Sequence, residues 1–113
     1  MKQEITFEDF SKVDFRIGTI IAIEDFPQAR KPAYILTIDY GNLGIKKSSA
    51  QITDLYSKQD LLHKQIVANV NFKKKQIANF FSECLVLGVA NSKNEIVLLQ
   101  ASSKNLKNGE QVS

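Results

Sequence analysis

Cysteine, histidine and proline are scarce in this chain and tryptophan is absent: among 113 residues there are one Cys, one His, two Pro and no Trp. Cys84 alone cannot close an internal disulfide, and no pair of cysteines or spacing of histidines offers a zinc site. His63 lies at the polar end of a weakly helical stretch, without an acidic or thiol neighbour in sequence, and reads as a surface residue rather than a general base. Ser48 and Ser49 are not set in a nucleophile elbow, and "GNLG" at 41–44 is a turn rather than a phosphate loop. No catalytic constellation assembles, so the sequence reads as non-enzymatic and calls for no cofactor and no metal. Long apolar runs are missing too. The opening "MKQEITFEDF" is too charged for an export signal, and no segment approaches a membrane span. With Cys84 in the strand-like "ECLVLG", where a small buried hydrophobe is the default, these features point to a reducing, cytoplasmic setting.

Linkers, repeats and low-complexity tracts are also lacking, and the length suits one soluble domain over residues 1–113. A chain this short buries only about two-thirds of its unfolded surface, so pairing with a second copy would add useful burial.

What is present is alternation. "ITFEDFSKVDF" carries Thr6 and Asp9 at near capping-box spacing, with Phe7, Phe10 and Val13 at helical intervals, which predicts a short amphipathic helix. "RIGTIIAIED" then changes period; Ile17, Thr19, Ile21 and Ile23 share one face of a strand. "AYILTIDY" is a second strand with Tyr34, Leu36, Ile38 and Tyr40 alternating, followed by the hairpin turn 41–44. The third strand, "IKKSSAQI", alternates poorly, because Lys46 and Lys47 fall on opposite faces and one of them points where core is expected. Thr53 and Asp54 open a short helix to about Leu62. "QIVANVNF" returns to period two, with Ile66, Ala68, Val70 and Phe72 inward and Gln65, Asn69 and Asn71 largely outward. A long loop follows, then "CLVLGVA" and "EIVLLQ" as a hairpin around "NSKN".

The sum is an all-β chain with minor α. It fits a five-stranded, Greek-key OB barrel over 16–90, with a short helix between strands three and four, an N-terminal helical extension over 1–15 and a C-terminal hairpin extension over 91–113; an open sandwich is the alternative.

Charge is unevenly spread. Residues 1–26 hold three Lys or Arg against six Asp or Glu, residues 27–79 nine against three, and residues 80–113 three against three. Seven of the nine middle cations fall in three places: Arg30 and Lys31 in "FPQARKPAY", Lys46 and Lys47 in strand three, and Lys73, Lys74 and Lys75 in "FKKKQIANFFS". An OB barrel binds ligand on strands two and three and on the loops joining strands one to two and four to five, which are these same places. A solubilising surface would scatter its charge; clustered cations attract a polyanion. Ser48, Ser49, Gln51, Asn69 and Asn71 could bond phosphate, sugar or base edges. Phe80, Phe81 and Tyr34 are candidate stacking platforms, although core packing is the commoner fate of such side chains.

"KKSSAQIT" followed by "VNFKKKQIANFFSECLVLG", within a likeness that runs from "VDFRIGTI" and "FPQARKPAY" to "EIVLLQ" and "NGEQV", resembles the tRNA-binding domain family, and most closely its stand-alone CsaA-type members. The resemblance implies an OB-fold that binds tRNA without catalysis, a homodimer built through the terminal extensions, and a chaperone role toward unfolded or precursor polypeptides as the alternative function. By position, Lys46, Ser48, Ser49, Ala50 and Gln51 match the strand-three motif, and Asn71, Lys75, Ser82 and Glu83 match the loop and following strand. The family pattern has proline and arginine across that loop and a glycine before the aromatic residue. Here Lys73 and Lys74 stand there, then Gln76, with Asn79 at the glycine position, where its tolerance of a left-handed backbone would keep the turn. Lysine keeps charge but lacks arginine's planar fork, and Gln76 has no charge at all.

Overall fold

The computed structural model describes residues 1–102 and 106–113; the part of the C-terminal extension at 103–105 lies outside the described residues. Helix α1 (Phe7–Ser11) begins where the sequence places it. The Thr6 hydroxyl accepts from the Asp9 amide and the Asp9 carboxylate accepts from the Thr6 amide, a reciprocal cap. Strand β1 (Phe15–Asp25) runs antiparallel to β2 (Tyr34–Asp39), which a tight turn at Gly41–Leu43 joins to β3 (Ile45–Ala50). Helix α2 (Lys58–Leu61) precedes β4 (Gln65–Asn69), which pairs with the first half of β1. Two short strands, β5 (Lys75–Ile77) and β6 (Phe80–Ser82), pair with each other; β7 (Leu85–Val86) pairs with β4; and β8 (Gly88–Ala90) forms a hairpin with β9 (Ile96–Leu98). The main sheet has the order β3-β2-β1-β4-β7, the five strands of an OB-like barrel, and the open sandwich does not form. Among the described residues no helix is long and apolar enough to cross a membrane.

β2 and the residue that follows it supply the core as the alternation predicts: Tyr34, Leu36, Ile38 and Tyr40 are buried together with Ile20, Ile52, Leu61, Ile66 and Ala68. β1 departs from expectation. Its register against β2 shifts between Ile20 and Ala22, so one residue is extra. Before the bulge the inward residues are Gly18 and Ile20; after it, Ile23 packs on the core and Ile21 is exposed. Gly18 is required by its neighbours, since a Cβ there would lie 2.6 Å from both Ile38 and Tyr40 side-chain carbons. Ile17 is buried on the other face, where its backbone bonds Gly109 and Glu110. The C-terminal segment thereby lies along the part of β1 that β2 leaves unpaired, with Val112 N–H donating to Phe15 and Arg16 bridging to Gln111.

Two further expectations change. The helix predicted from Thr53 starts later, because Ser57, not Thr53, caps it, reciprocally with Asp60. Asn69 is buried and Phe72 is 55% exposed, the reverse of the predicted sides. β4 ends at Asn69, and the Asn71 amide then turns the chain toward α1. It donates to the Lys12 carbonyl at 2.7 Å and accepts from the Asp14 amide at 2.9 Å and from Asn69 Nδ2 at 3.1 Å.

Candidate nucleic-acid interface

The conflict at Lys46 and Lys47 resolves through register. Lys46, Ser48 and Ala50 lie opposite Ile38, Leu36 and Tyr34 and face inward; Lys47 and Ser49 face outward. Ser48 is buried and donates to the Ser49 carbonyl, so its hydroxyl is not presented to solvent. Lys46 is half-buried at the end of the inward row and lies near Cys84. The Tyr40 hydroxyl donates to Cys84 Sγ at 3.1 Å. Burial pushes the Cys84 thiol above its ordinary range, against the opposing pull of that hydrogen bond, and burial likewise raises the Tyr40 phenol.

Two consequences can be measured. Cys84 should resist a thiol reagent in the folded protein and react fully after denaturation. Because the folded thiol holds its proton to higher pH than the unfolded one, stability should be complete below about pH 8.5 and fall as pH rises past it. Rapid labelling of the native protein, or stability rising with alkalinity, would contradict this packing.

The segment predicted as a long loop contains a hairpin. In it Lys75 lies opposite Ser82 and Ile77 opposite Phe80, so these four share one face, while Gln76 and Phe81 share the other. Ala78, at φ 55°, takes the left-handed position expected of Asn79, and Gln76 Nε2 donates to its carbonyl. The hairpin is tied to β3 in two places. Ser82 Oγ accepts from the Ser49 amide at 3.2 Å. Glu83 clamps Lys47 from both sides: its amide donates to the Lys47 carbonyl at 2.8 Å, and its carboxylate accepts from the Lys47 amide at 2.9 Å. Lys74 Nζ lies 3.9 Å from the same carboxylate. The first predicted segment joins through aromatic packing: Phe26, which opens the β1–β2 loop, meets Phe80 edge-on at 5.4 Å between ring centres.

Between β3, this hairpin and the β8–β9 hairpin lies an open groove of about 620 Å³. Five of the sequence-predicted residues line it: Ser49, Gln51, Lys73, Lys75 and Ser82. Its floor is apolar, with Ile52, Ile77, Val86 and Leu98 among others, and no Asp or Glu among the described residues lines it. The Lys47 backbone and the Lys74 ammonium both reach Glu83, the residue after the groove-lining Ser82. Arg30 and Lys31 are exposed on the loop that Phe26 anchors. Gln76 and Asn79 are exposed on the hairpin, outside the groove. Asn71 and Ser48 are committed to the protein's own hydrogen bonds. Of the stacking candidates, Tyr34 is buried with its hydroxyl on the Tyr56 carbonyl, Phe80 packs on Phe26, and Phe81 is exposed on the face away from the groove. The aromatic residue at the groove is Phe72, which the period of β4 had assigned to the core.

Comparison with known proteins agrees with this architecture. The family model described as "Putative tRNA binding domain" matches residues 15–111. The structure of the chaperone CsaA from Bacillus anthracis superposes with a TM-score of 0.92 at 50% identity, covering 98% of this chain and 100% of that one. The CsaA chaperone protein of Picrophilus torridus gives 0.90 at 47% identity, covering 97% and 100%. The methionine–tRNA ligase of Thermococcus onnurineus is 32% identical over 108 residues, which are 96% of this chain but 14% of the ligase.

Proposed function

The chain belongs to the tRNA-binding domain family, and from that premise we propose that it binds tRNA without acting on it, holding the RNA on the basic face around the β3 groove. The observation that carries this reading is the joining of three separate cationic segments: Phe26 on Phe80 links the first to the third, and Glu83 on Lys47 links the third to the second. Lys73, Lys74 and Lys75, all exposed, neutralise phosphates, and Arg30, Lys31 and Lys47 extend the cationic surface along the strand. Ser49 and Gln51 contribute hydrogen bonds inside the groove, while the Ser82 hydroxyl ties the hairpin to β3. The whole activity of a ligase is not carried over, because this chain corresponds to only a small part of one.

Salt dependence tests this reading. Binding through about four phosphate contacts should weaken with salt on a log–log slope near −3. The second reading, capture of unfolded or precursor polypeptides, is favoured by the groove's apolar floor and by the likeness to CsaA structures described as chaperones. Polypeptide held by apolar contact should respond little to the same titration, so a flat profile would favour it.

Self-association accompanies either reading. Helix α1 buries none of its residues; Phe7 is 82% exposed, and its ring, with those of Phe10 and Phe15, forms an apolar ladder with centroids about 6 Å apart. A second copy would cover that ladder. Sedimentation should return twice the 12.7 kDa chain mass, and a Phe7→Asp variant should return a single chain mass. A dimer carries two basic faces, so one RNA spanning both gains avidity if their spacing fits.

A further inference from the structure

The cationic face explains attraction to any polyanion, but it does not explain the groove. Resting on the tRNA-binding reading above, we infer that the groove takes an unstacked base of single-stranded RNA, so that the site prefers exposed loop nucleotides to duplex. Four observations meet there. The volume of about 620 Å³ falls within the roughly 300–1,000 Å³ of small-molecule sites, a size that a phosphate-tracking surface has no need of. The floor is apolar, whereas a site for phosphate alone would be lined with donors throughout. Lys73 and Lys75 stand on the lining with no carboxylate among the lining residues, so the occupant joins an apolar, planar body to negative charge. A nucleotide has that composition, and an aliphatic peptide segment has only half of it.

The fourth observation concerns hydrogen bonding and stacking. The Ser49 hydroxyl and the Gln51 side-chain amide have no side-chain hydrogen bond among the described residues, although both line the groove beside Ser82, whose hydroxyl is already engaged. A glutamine amide offers a donor and an acceptor side by side, which matches the edge of a base. Phe72, more than half exposed and preceding the lysines directly, supplies a ring on which that base stacks while its phosphates lie on Lys73 and Lys75. Double-helical RNA keeps its bases stacked and paired, so it reaches the lysines but leaves the groove empty.

The test compares three probes of equal length and end label: a ten-nucleotide single-stranded adenosine RNA, the same RNA with abasic sites throughout, and a ten-base-pair RNA duplex. At one salt concentration the single strand should bind about tenfold tighter than the abasic strand, the expected scale of removing one stacking platform. Phe72→Ala should remove that preference and leave the abasic strand's affinity unchanged, while Phe72→Tyr should retain it. Both variants change an exposed side chain, and their unfolding midpoints should match the parent. Equal affinity for single-stranded and abasic probes, with binding still weakened at least about tenfold when Lys73, Lys74 and Lys75 are removed, would overturn the groove assignment and keep the RNA reading. Binding of none of the three would overturn the RNA reading itself. Competition for the groove by an apolar decapeptide but not by the adenosine strand would assign it to polypeptide instead.

Discussion

Changing Lys73, Lys74 and Lys75 together to alanine should lower affinity for tRNA at least about tenfold and reduce the magnitude of the salt slope by nearly one unit for each phosphate no longer neutralised. The structure gives the reasons for expecting a clean result. All three side chains are exposed, and the only ion pair they make among the described residues is that of Lys74 with Glu83, at 3.9 Å and largely in solvent, which contributes little to stability. Removing them leaves the clamp intact, because Glu83 holds Lys47 by backbone and carboxylate bonds that do not involve the lysine triplet. Folding should therefore be unchanged by circular dichroism and by denaturant midpoint. Unchanged tRNA binding in a filter assay would remove the hairpin from the interface.

The second large effect is on stability and concerns the bulge in β1. Ile20→Ala should cost about 2–5 kcal/mol, the range for deleting a large side chain from a filled core, because Ile20 is fully buried among the side chains of β2 and β4. Ile21→Ala should cost under about 1 kcal/mol, because that side chain is 38% exposed. Urea denaturation compares the two directly: a lowered midpoint for the first and a nearly unchanged one for the second. The opposite order would mean that β1 runs without the extra residue, which would turn every side chain before it to the other face.

That pair also marks the limit of what the sequence discloses. β2 was legible because it lies between two partners and buries one whole face, so Tyr34, Leu36, Ile38 and Tyr40 obey strict alternation. β1 was not, because a run of isoleucines reads equally well on either parity and only pairing with β2 decides where the extra residue goes. The lysines of β3 were legible as a conflict, and the register explains it: Lys46 takes the inward side at the end of the row, where it is half-buried rather than enclosed.

In the candidate site, composition marked the three cationic segments, while side-chain placement depended on partners far apart in sequence. Asn71 has the right chemistry to contact RNA but is used to fasten β4 to the start of β1. That fastening ends the period of β4 and releases Phe72 to the groove. Strands of three residues such as β5 and β6 leave too short a pattern to detect, and a positive φ at Ala78 follows no residue preference that could have announced it. Glu83, the residue that closes β3 against the hairpin, had no signal beyond its place in a motif.

The measurement that bears most directly on a shared RNA platform is a map of backbone amide signals as tRNA is added. The changes should gather in three stretches, residues 26–33, 46–51 and 72–83, and diminish together as salt is raised. Perturbation confined to α1 or to the C-terminal segment along β1 would contradict it, for those elements lie outside the cationic segments that draw the RNA in.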